Sequence, residues 1–230
     1  MEKIKEPLKL GGILGAIALV IAVLLSFVNG ITADRIAEVN GEIVQKGLKE
    51  VMPSEREIEF IPMEGGVDLS NEKNIEVSNL YIAMDIDGNI VGYCATVLPE
   101  GYGGPVETIV GMDLTGTVTG VKVTSNMSET PGLGAKALKR ENFTYQFEKR
   151  TPSFAITRDG GDVDAITSAT ITSRAITEGV NAAAEVINKN SAFEKVEKSD
   201  IIDGKYIVKA EEPQSEEEEE TGEKEDADNE

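Results

Sequence analysis

Asp164-Ala-Ile-Thr-Ser-Ala-Thr-Ile-Thr-Ser173 is the stretch from which the rest of this 230-residue chain can be read. Three hydroxyl residues, Thr167, Ser168 and Thr170, surround Ala169. A Gly160-Gly161 turn precedes them, and Arg174-Ala-Ile-Thr-Glu-Gly-Val-Asn-Ala-Ala-Ala-Glu-Val-Ile187 follows. In that run Ile176, Val180, Ala183, Ala184 and Ile187 recur at helical spacing. The spacing predicts a helix with Thr172 or Ser173 as N-cap, its side-chain oxygen accepting from the first free backbone amides. Thr170 is then expected in the loop feeding the helix, where free amides and the positive end of the dipole favour a phosphate. On spacing alone the same residues also fit a Ser/Thr-rich cap that binds nothing.

Outward from this stretch, composition narrows the chemistry. The formal net charge is −20, which argues against nucleic acid as a partner, since a phosphate backbone needs a basic face. The acid is uneven: from Glu211 to Glu230 there are twelve Asp/Glu against one Lys, so this tail supplies −11 of the −20. Residues 210–230 show no apolar periodicity and are expected to be a disordered, solvated tail. The chain has no histidine, which removes histidine-based triads and imidazole ligation of metal or haem. Its single cysteine, Cys94, holds neither an iron–sulfur cluster nor a thiolate zinc site alone, and lies in an apolar run expected to be a buried strand. No metal site is expected, so any redox chemistry requires an organic cofactor.

At the other end of the chain, Leu10 to Val28 is nineteen residues without a charge, long enough to cross a bilayer as a helix. Lys3, Lys5 and Lys9 precede it, so residues 1–9 are expected in the cytoplasm and the main domain on the extracytoplasmic side. An uncleaved, single-pass cell-membrane anchor over residues 10–29 fits better than a cleaved signal peptide, because the apolar run is long and no clean small-x-small site follows it. Residues 30–53 read as an amphipathic linker helix, with Ile36, Val39, Ile43, Val44, Leu48 and Val51 on one face and Pro53 as its stop. Residues 54–209 are the expected globular domain.

Within that domain, Met84-Asp-Ile-Asp-Gly-Asn-Ile-Val-Gly92 matches Met112-Asp-Leu-Thr-Gly-Thr-Val-Thr-Gly120, a duplicated strand–turn–strand unit 28 residues apart. Residues 54–78 offer only loop and short strands. Between and after the hairpins lie two dense turns, Gly101-Tyr-Gly-Gly-Pro105 and Glu129-Thr-Pro-Gly-Leu-Gly-Ala-Lys136, neither a Walker A nor a dinucleotide fingerprint. A short helix is expected over 134–150, strands over 154–157 and 201–208, and overall an α+β domain: one twisted antiparallel sheet with packed helices.

Asp164-x-x-Thr167-x-Ala169-Thr170-x-Thr172 resembles the D-x-x-[ST]-G-A-T-x-[ST] signature of the covalent FMN-binding domain family. The resemblance implies that Thr170 carries FMN through a phosphoester made by a separate flavin transferase. Asp164, Thr167 and Ala169 fall on other motif positions, and Ser168 stands where the family has glycine. The two Gly/Pro loops are similar to those accompanying this motif in the G subunit of the Rnf electron-transport complex, and in the C subunit of the sodium-translocating quinone reductase. By that resemblance Glu129, Thr130, Gly132, Leu133, Gly134 and Lys136 lie near the flavin. Gly132 and Gly134 would permit close backbone approach, Thr130 a hydrogen bond, and Lys136 a countercharge, although a plain surface lysine is the simpler assignment for Lys136.

The expected function is therefore electron relay through covalent FMN within a membrane-bound, ion-translocating complex of the ferredoxin:NAD+ type. The other subunits, the transferase and membrane lipid are its expected partners, and no complete active site or catalytic residue is expected on this chain alone. Two alternatives stand beside it: the corresponding quinone-reductase component, and a non-redox membrane-anchored extracytoplasmic binding or assembly module.

Overall fold

The computed structural model describes residues 2–54, 56–125, 129–191, 201–202 and 205–207, with backbone alone for 2–10, 34, 37 and the last two short segments. The acidic tail expected over 210–230 lies outside the described residues.

Helix α1 runs unbroken from Glu2 to Val51, fifty residues, so the expected anchor and linker helix are one element. The physical reason is the absence of a breaker between them: Asn29-Gly30 weakens the helix but removes no hydrogen-bond donor, and the next proline is Pro53. Within α1, Gly11–Ala33 is long and apolar enough to cross a membrane, with mean hydropathy 2.6. None of its most apolar window is buried inside the protein, and Leu14 and Phe27 are two-thirds exposed, so this segment is not a soluble core helix. It becomes buried only from Gly47 onward.

Five strands follow as an antiparallel meander: β1 (Ile58–Glu64), β2 (Glu76–Asp85), β3 (Ile90–Leu98), β4 (Glu107–Asp113) and β5 (Val118–Ser125). After β5 come short 3-10 turns at Gly134–Leu138, Arg140–Asn142, Thr144–Phe147 and Thr157–Asp159, then helix α2 (Thr170–Asn190). Two short strands, β6 (Ile201–Ile202) and β7 (Lys205–Ile207), complete a sheet of order β5-β4-β3-β2-β1-β7-β6. The β1–β7 pairing is parallel, so the sheet is antiparallel only through its first five strands. The helix expected over 134–150 is replaced by 3-10 turns, because backbone bonds there span three residues and Lys139 and Phe143 leave helical geometry. The strand expected over 154–157 reduces to one bridge, Ile156 to Val163, at the Gly160 turn.

The strands are buried on both faces. Leu80, Ile82 and Met84 of β2 join the larger core with Ile176, Val180 and Ile187 of α2 and the edge-to-face pair Phe143–Phe147. Tyr81 and Ala83, the alternate residues, join Cys94 and Ile109 in a second core against Leu48, Val51 and Met52 at the end of α1. This is period-2 strand geometry with a helix covering each face.

The duplicated hairpins acquire a structural reason. Asp85 Oδ1 accepts from the backbone of Asp87 and Asn89, and Asp113 Oδ1 accepts from Thr115 and Thr117, so each aspartate closes its own turn. Met84 and Met112 are both in the larger core. The final glycines of the two units abut α1: a Cβ on Gly120 would lie 2.7 Å from Val51 Cα, and one on Gly92 2.7 Å from Met52 Cε. With Gly111, whose Cβ would meet Val51 O at 2.8 Å, they form a bare seat for the last turn of α1. Thr119 Oγ1 completes the junction by donating to Val51 O at 2.6 Å.

Candidate functional site

Three loops meet at one end of the sheet. The β3–β4 connection is a tight turn, closed by Gly101 N to Gly104 O at 2.8 Å and Val106 N to Pro99 O at 2.9 Å, with Tyr102 exposed at its tip. The segment after β5 turns at Thr130–Leu133, where Leu133 N donates to Thr130 O at 3.1 Å. The third is the 164–169 loop that leads into α2. Phe154 and Asn181 hold α2 in place through two bonds between the Asn181 side-chain amide and the Phe154 backbone.

One carboxylate joins the first two to the start of α2. Glu129 is buried, and its Oε1 accepts from Thr172 Oγ1 at 2.7 Å, from Tyr102 N at 2.9 Å and from Gly103 N at 3.4 Å. The cradle around it admits no side chain: a Cβ on Gly101 would stand 2.5 Å from Glu129 Oε1, and one on Gly134 would overlap the same carboxylate. A buried carboxyl needs donors, and the amides of the 101–104 turn and a hydroxyl from the first turn of α2 supply them.

Above Glu129 opens a pocket of about 380 Å³ lined by Tyr102, Thr130, Leu133, Ser168, Ala169 and Thr172, among others. Its wall combines backbone and hydroxyl groups with an aromatic ring and a leucine, a mixture suited to a large planar ring carrying polar edges.

Helix α2 begins at Thr170, ahead of both expected caps. Thr172 and Ser173 are thus inside the helix, and neither caps it. Thr172 bonds Glu129, while Ser173 Oγ accepts from Ile166 N at 2.9 Å and donates to Ala169 O at 3.0 Å, pinning the loop shut. The N-cap is Ala169, which has no side-chain acceptor, so among the described residues no side-chain cap satisfies the first-turn amides. Such an end suits an anion. Thr170, expected in the loop, is the first helical residue and half-buried. Its Oγ1 receives a long hydrogen bond from Arg158 Nη1, 3.5 Å away.

Ser168 has φ +64, the left-handed conformation that glycine adopts without penalty. The tight loop demands that conformation, and this is the structural sense of glycine at that motif position.

The sequence-predicted residues divide. Glu129, Thr130, Leu133, Gly134, Ser168 and Ala169 come together at the pocket, with Thr170 adjoining Ala169. Gly132 forms the turn beneath it, at φ +80. Lys136 is away from the pocket lining, its backbone carbonyl accepting from Asn142 Nδ2 at 3.1 Å. Thr167 is exposed and also outside the lining. Asp164 faces solvent, but its backbone is held on both sides by the Gln146 amide, at 2.8 and 3.0 Å. Sequence reasoning missed three participants. Tyr102 was signalled by the Gly101–Pro105 loop. Thr172 was signalled as a cap and as the last motif position, but not as a partner of Glu129. Nothing in spacing pointed to Arg158, because it reaches Thr170 from a separate turn twelve residues away.

Residues 101–185 match the family described as FMN-binding domain, and residues 1–51 the family described as RnfG N-terminal region. The G subunit of the Na(+)-translocating ferredoxin:NAD(+) oxidoreductase complex of Acetobacterium woodii is 33% identical over 79% of this chain and 92% of that protein. The G subunit of the ion-translocating oxidoreductase complex of Escherichia coli is 33% identical over 70% and 81%, and that of Shewanella amazonensis 31% over 82% and 91%. Among solved structures, the C subunit of the Na(+)-translocating NADH-quinone reductase from Parabacteroides distasonis matches with TM-score 0.40 and 25% identity, over 51% of this chain and 64% of that one.

Proposed function

The chain belongs to the RnfG family of ion-translocating oxidoreductase complexes, and from that membership we propose that Thr170 is the point at which its FMN is covalently held. It is a redox subunit of such a membrane complex, and the FMN-binding domain is the part that transfers electrons. When bound, FMN supplies one- and two-electron chemistry that no side chain of this histidine-free, single-cysteine protein offers.

The observation that carries the assignment of Thr170 is that Glu129 ties the 101–104 turn to the first turn of α2, a helix whose first residue is Thr170 and whose N-cap residue makes no side-chain bond. In this reading the chain's own residues have separate tasks. The uncapped amides and the α2 dipole favour the phosphate. Glu129 and Thr172 hold the pocket wall, Tyr102 and Leu133 line it and would pack against the ring, and Ser168 makes the turn that leads into Thr170. A phosphoester bond keeps the cofactor on the protein in a compartment where free FMN would diffuse away. A flavin transferase makes that bond.

The complex is of the ferredoxin:NAD+ type, with electrons entering from one neighbouring subunit and leaving to another. The lysines at 3, 5 and 9 support an N-terminus in the cytoplasm, a single crossing by α1 in lipid, and a flavin-carrying domain over 54–209 on the extracytoplasmic side.

Intact-protein mass spectrometry with peptide mapping tests this on protein from its own membrane. The peptide containing Thr170 is expected to gain one FMN less water, and Thr170→Ala to lose all covalent flavin while remaining folded. Covalent flavin retained in Thr170→Ala would sink the assignment.

A further inference from the structure

Arg158 is set apart from the other arginines around the site. Arg174 spends its guanidinium on Asp159, with Nε to Oδ2 at 2.6 Å and a nitrogen to Oδ1 at 2.8 Å, a two-point pairing. Arg150 is paired with Asp162 and lies over the Phe154 ring. Arg158 has no ion pair among the described residues. Its sequence neighbour Asp159 is already engaged on both oxygens by Arg174. The charge of Arg158 also acts on that carboxyl at a distance, and among the described residues the hydrogen bond of its side chain is the one to Thr170 Oγ1. It comes from the Thr157–Asp159 turn, which is fixed by Asp159 N to Ile156 O at 2.8 Å and by the bridge between Ile156 and Val163.

An unpaired guanidinium directed at a neutral hydroxyl gains little, since the hydroxyl offers a lone pair and no charge. The same guanidinium directed at a phosphodiester on that oxygen gains a charge-assisted contact, and arginine is the side chain whose planar fork fits phosphate oxygens. We infer that Arg158 is the positioning residue for the flavin phosphate, holding the phosphodiester on Thr170 so that the ribityl arm leaves the protein in one direction. This rests on Thr170 being the attachment point. The role is distinct from that of the α2 amides. Those neutralise the anion from the helix axis, whereas Arg158 approaches from a separate turn and restricts rotation about the Thr170 side chain.

The test compares wild type, Arg158→Gln, Arg158→Lys and Thr170→Ala, all as full-length protein made in cells that carry the transferase. Intact mass reports attachment. The increment in unfolding midpoint between each protein and its Thr170→Ala counterpart reports how firmly the attached group is held, and is followed against salt concentration. Expected for wild type is full attachment with a positive increment that shrinks as salt rises, because the contact is exposed and screened. Arg158→Gln is expected to be attached, with most of that increment and its salt dependence gone. Arg158→Lys should recover part of both.

An attached Arg158→Gln protein with the wild-type increment and salt response overturns the inference and leaves Thr170 as the site. If Arg158→Gln folds without taking flavin, Arg158→Lys decides. Restored attachment supports a charge contact to the phosphate, and no restoration overturns it. A wild-type protein without flavin on Thr170 overturns the proposed attachment and this inference together, which separates the two failures.

Discussion

Ser168 sits at φ +64 because the 166–169 loop must reverse within three residues, with Ala169 N bonded to Ile166 O at 2.9 Å. A side chain there costs about 1–2 kcal/mol relative to glycine, partly offset by the 0.5–1 kcal/mol or so of extra entropy a glycine loses on folding. Ser168→Gly is therefore expected to stabilise the protein by roughly 0.5 kcal/mol, and Ser168→Val to destabilise it by more, in urea unfolding of the detergent-solubilised chain. A Gly variant no more stable than wild type would mean the loop adopts another conformation in solution. The serine is thus expected to be tolerated rather than required at this turn. Glu129 has the opposite character. Its carboxylate replaces solvent for two backbone amides and a hydroxyl, so no neutral, shorter side chain serves in its place.

At the level of elements, the seat formed by Gly92, Gly111 and Gly120 joins α1 to the sheet. Gly120→Ala would drive a methyl into the Val51 backbone, a contact that cannot yield by rotating a side chain. The expected cost is about 1–3 kcal/mol, together with easier proteolysis in the 52–57 segment, since the last turn of α1 lifts from β5. Unchanged stability and protease resistance would show that the helix does not rest there. The repeat that supplies two of these glycines was readable in sequence because its turn chemistry, Asp then Gly, repeats at fixed offsets. The seat itself was not, because it depends on a helix that ends well before the glycines in the chain. The same distinction runs through the rest. The α2 stripe was legible from periodicity, and the strand around Cys94 from its unbroken apolar run. The 134–150 region was misread as a helix, since its Ala, Leu, Lys and Arg favour helix locally while the buried Phe143 and Phe147 pull the backbone into separate turns. The start of α2 was misplaced because Thr172 and Ser173 have cap chemistry, but here their oxygens are bound to Glu129 and to the 166–169 loop.

For the molecule as a whole, charge is the dominant condition. Much of the net −20 resides in the last twenty residues, and Arg150 and Arg174 are committed to local pairs around the site. The Arg174 guanidinium, through its hydrogen bonds and its charge, holds the Asp159 carboxyl below the ordinary carboxylate range, and Arg150 does the same for Asp162. Both pKa values are depressed in the folded state. Their stabilisation is therefore complete above the unfolded carboxylate value, near pH 4, and is lost as pH falls through the folded values. Asp159→Asn should lower the unfolding midpoint at neutral pH, and the gap from wild type should close as the solution is acidified below about pH 4. A gap that persists in acid would mean that the pair contributes through shape rather than charge.

Helix α1 is continuous from its apolar span to the glycine seat. Some fourteen residues separate Ala33, where the apolar span ends, from Gly47, where burial begins. At 1.5 Å per residue this is a stand-off of about 20 Å, and at 3.6 residues per turn each residue in it also sets the domain's heading about the helix axis. Height and bearing are coupled as in a screw: one inserted residue raises the domain by about 1.5 Å and swings it by about 100°, while an insertion of seven nearly restores its bearing at a greater height. A docking neighbour in the membrane would experience the first as a turned face and the second as a lengthened reach.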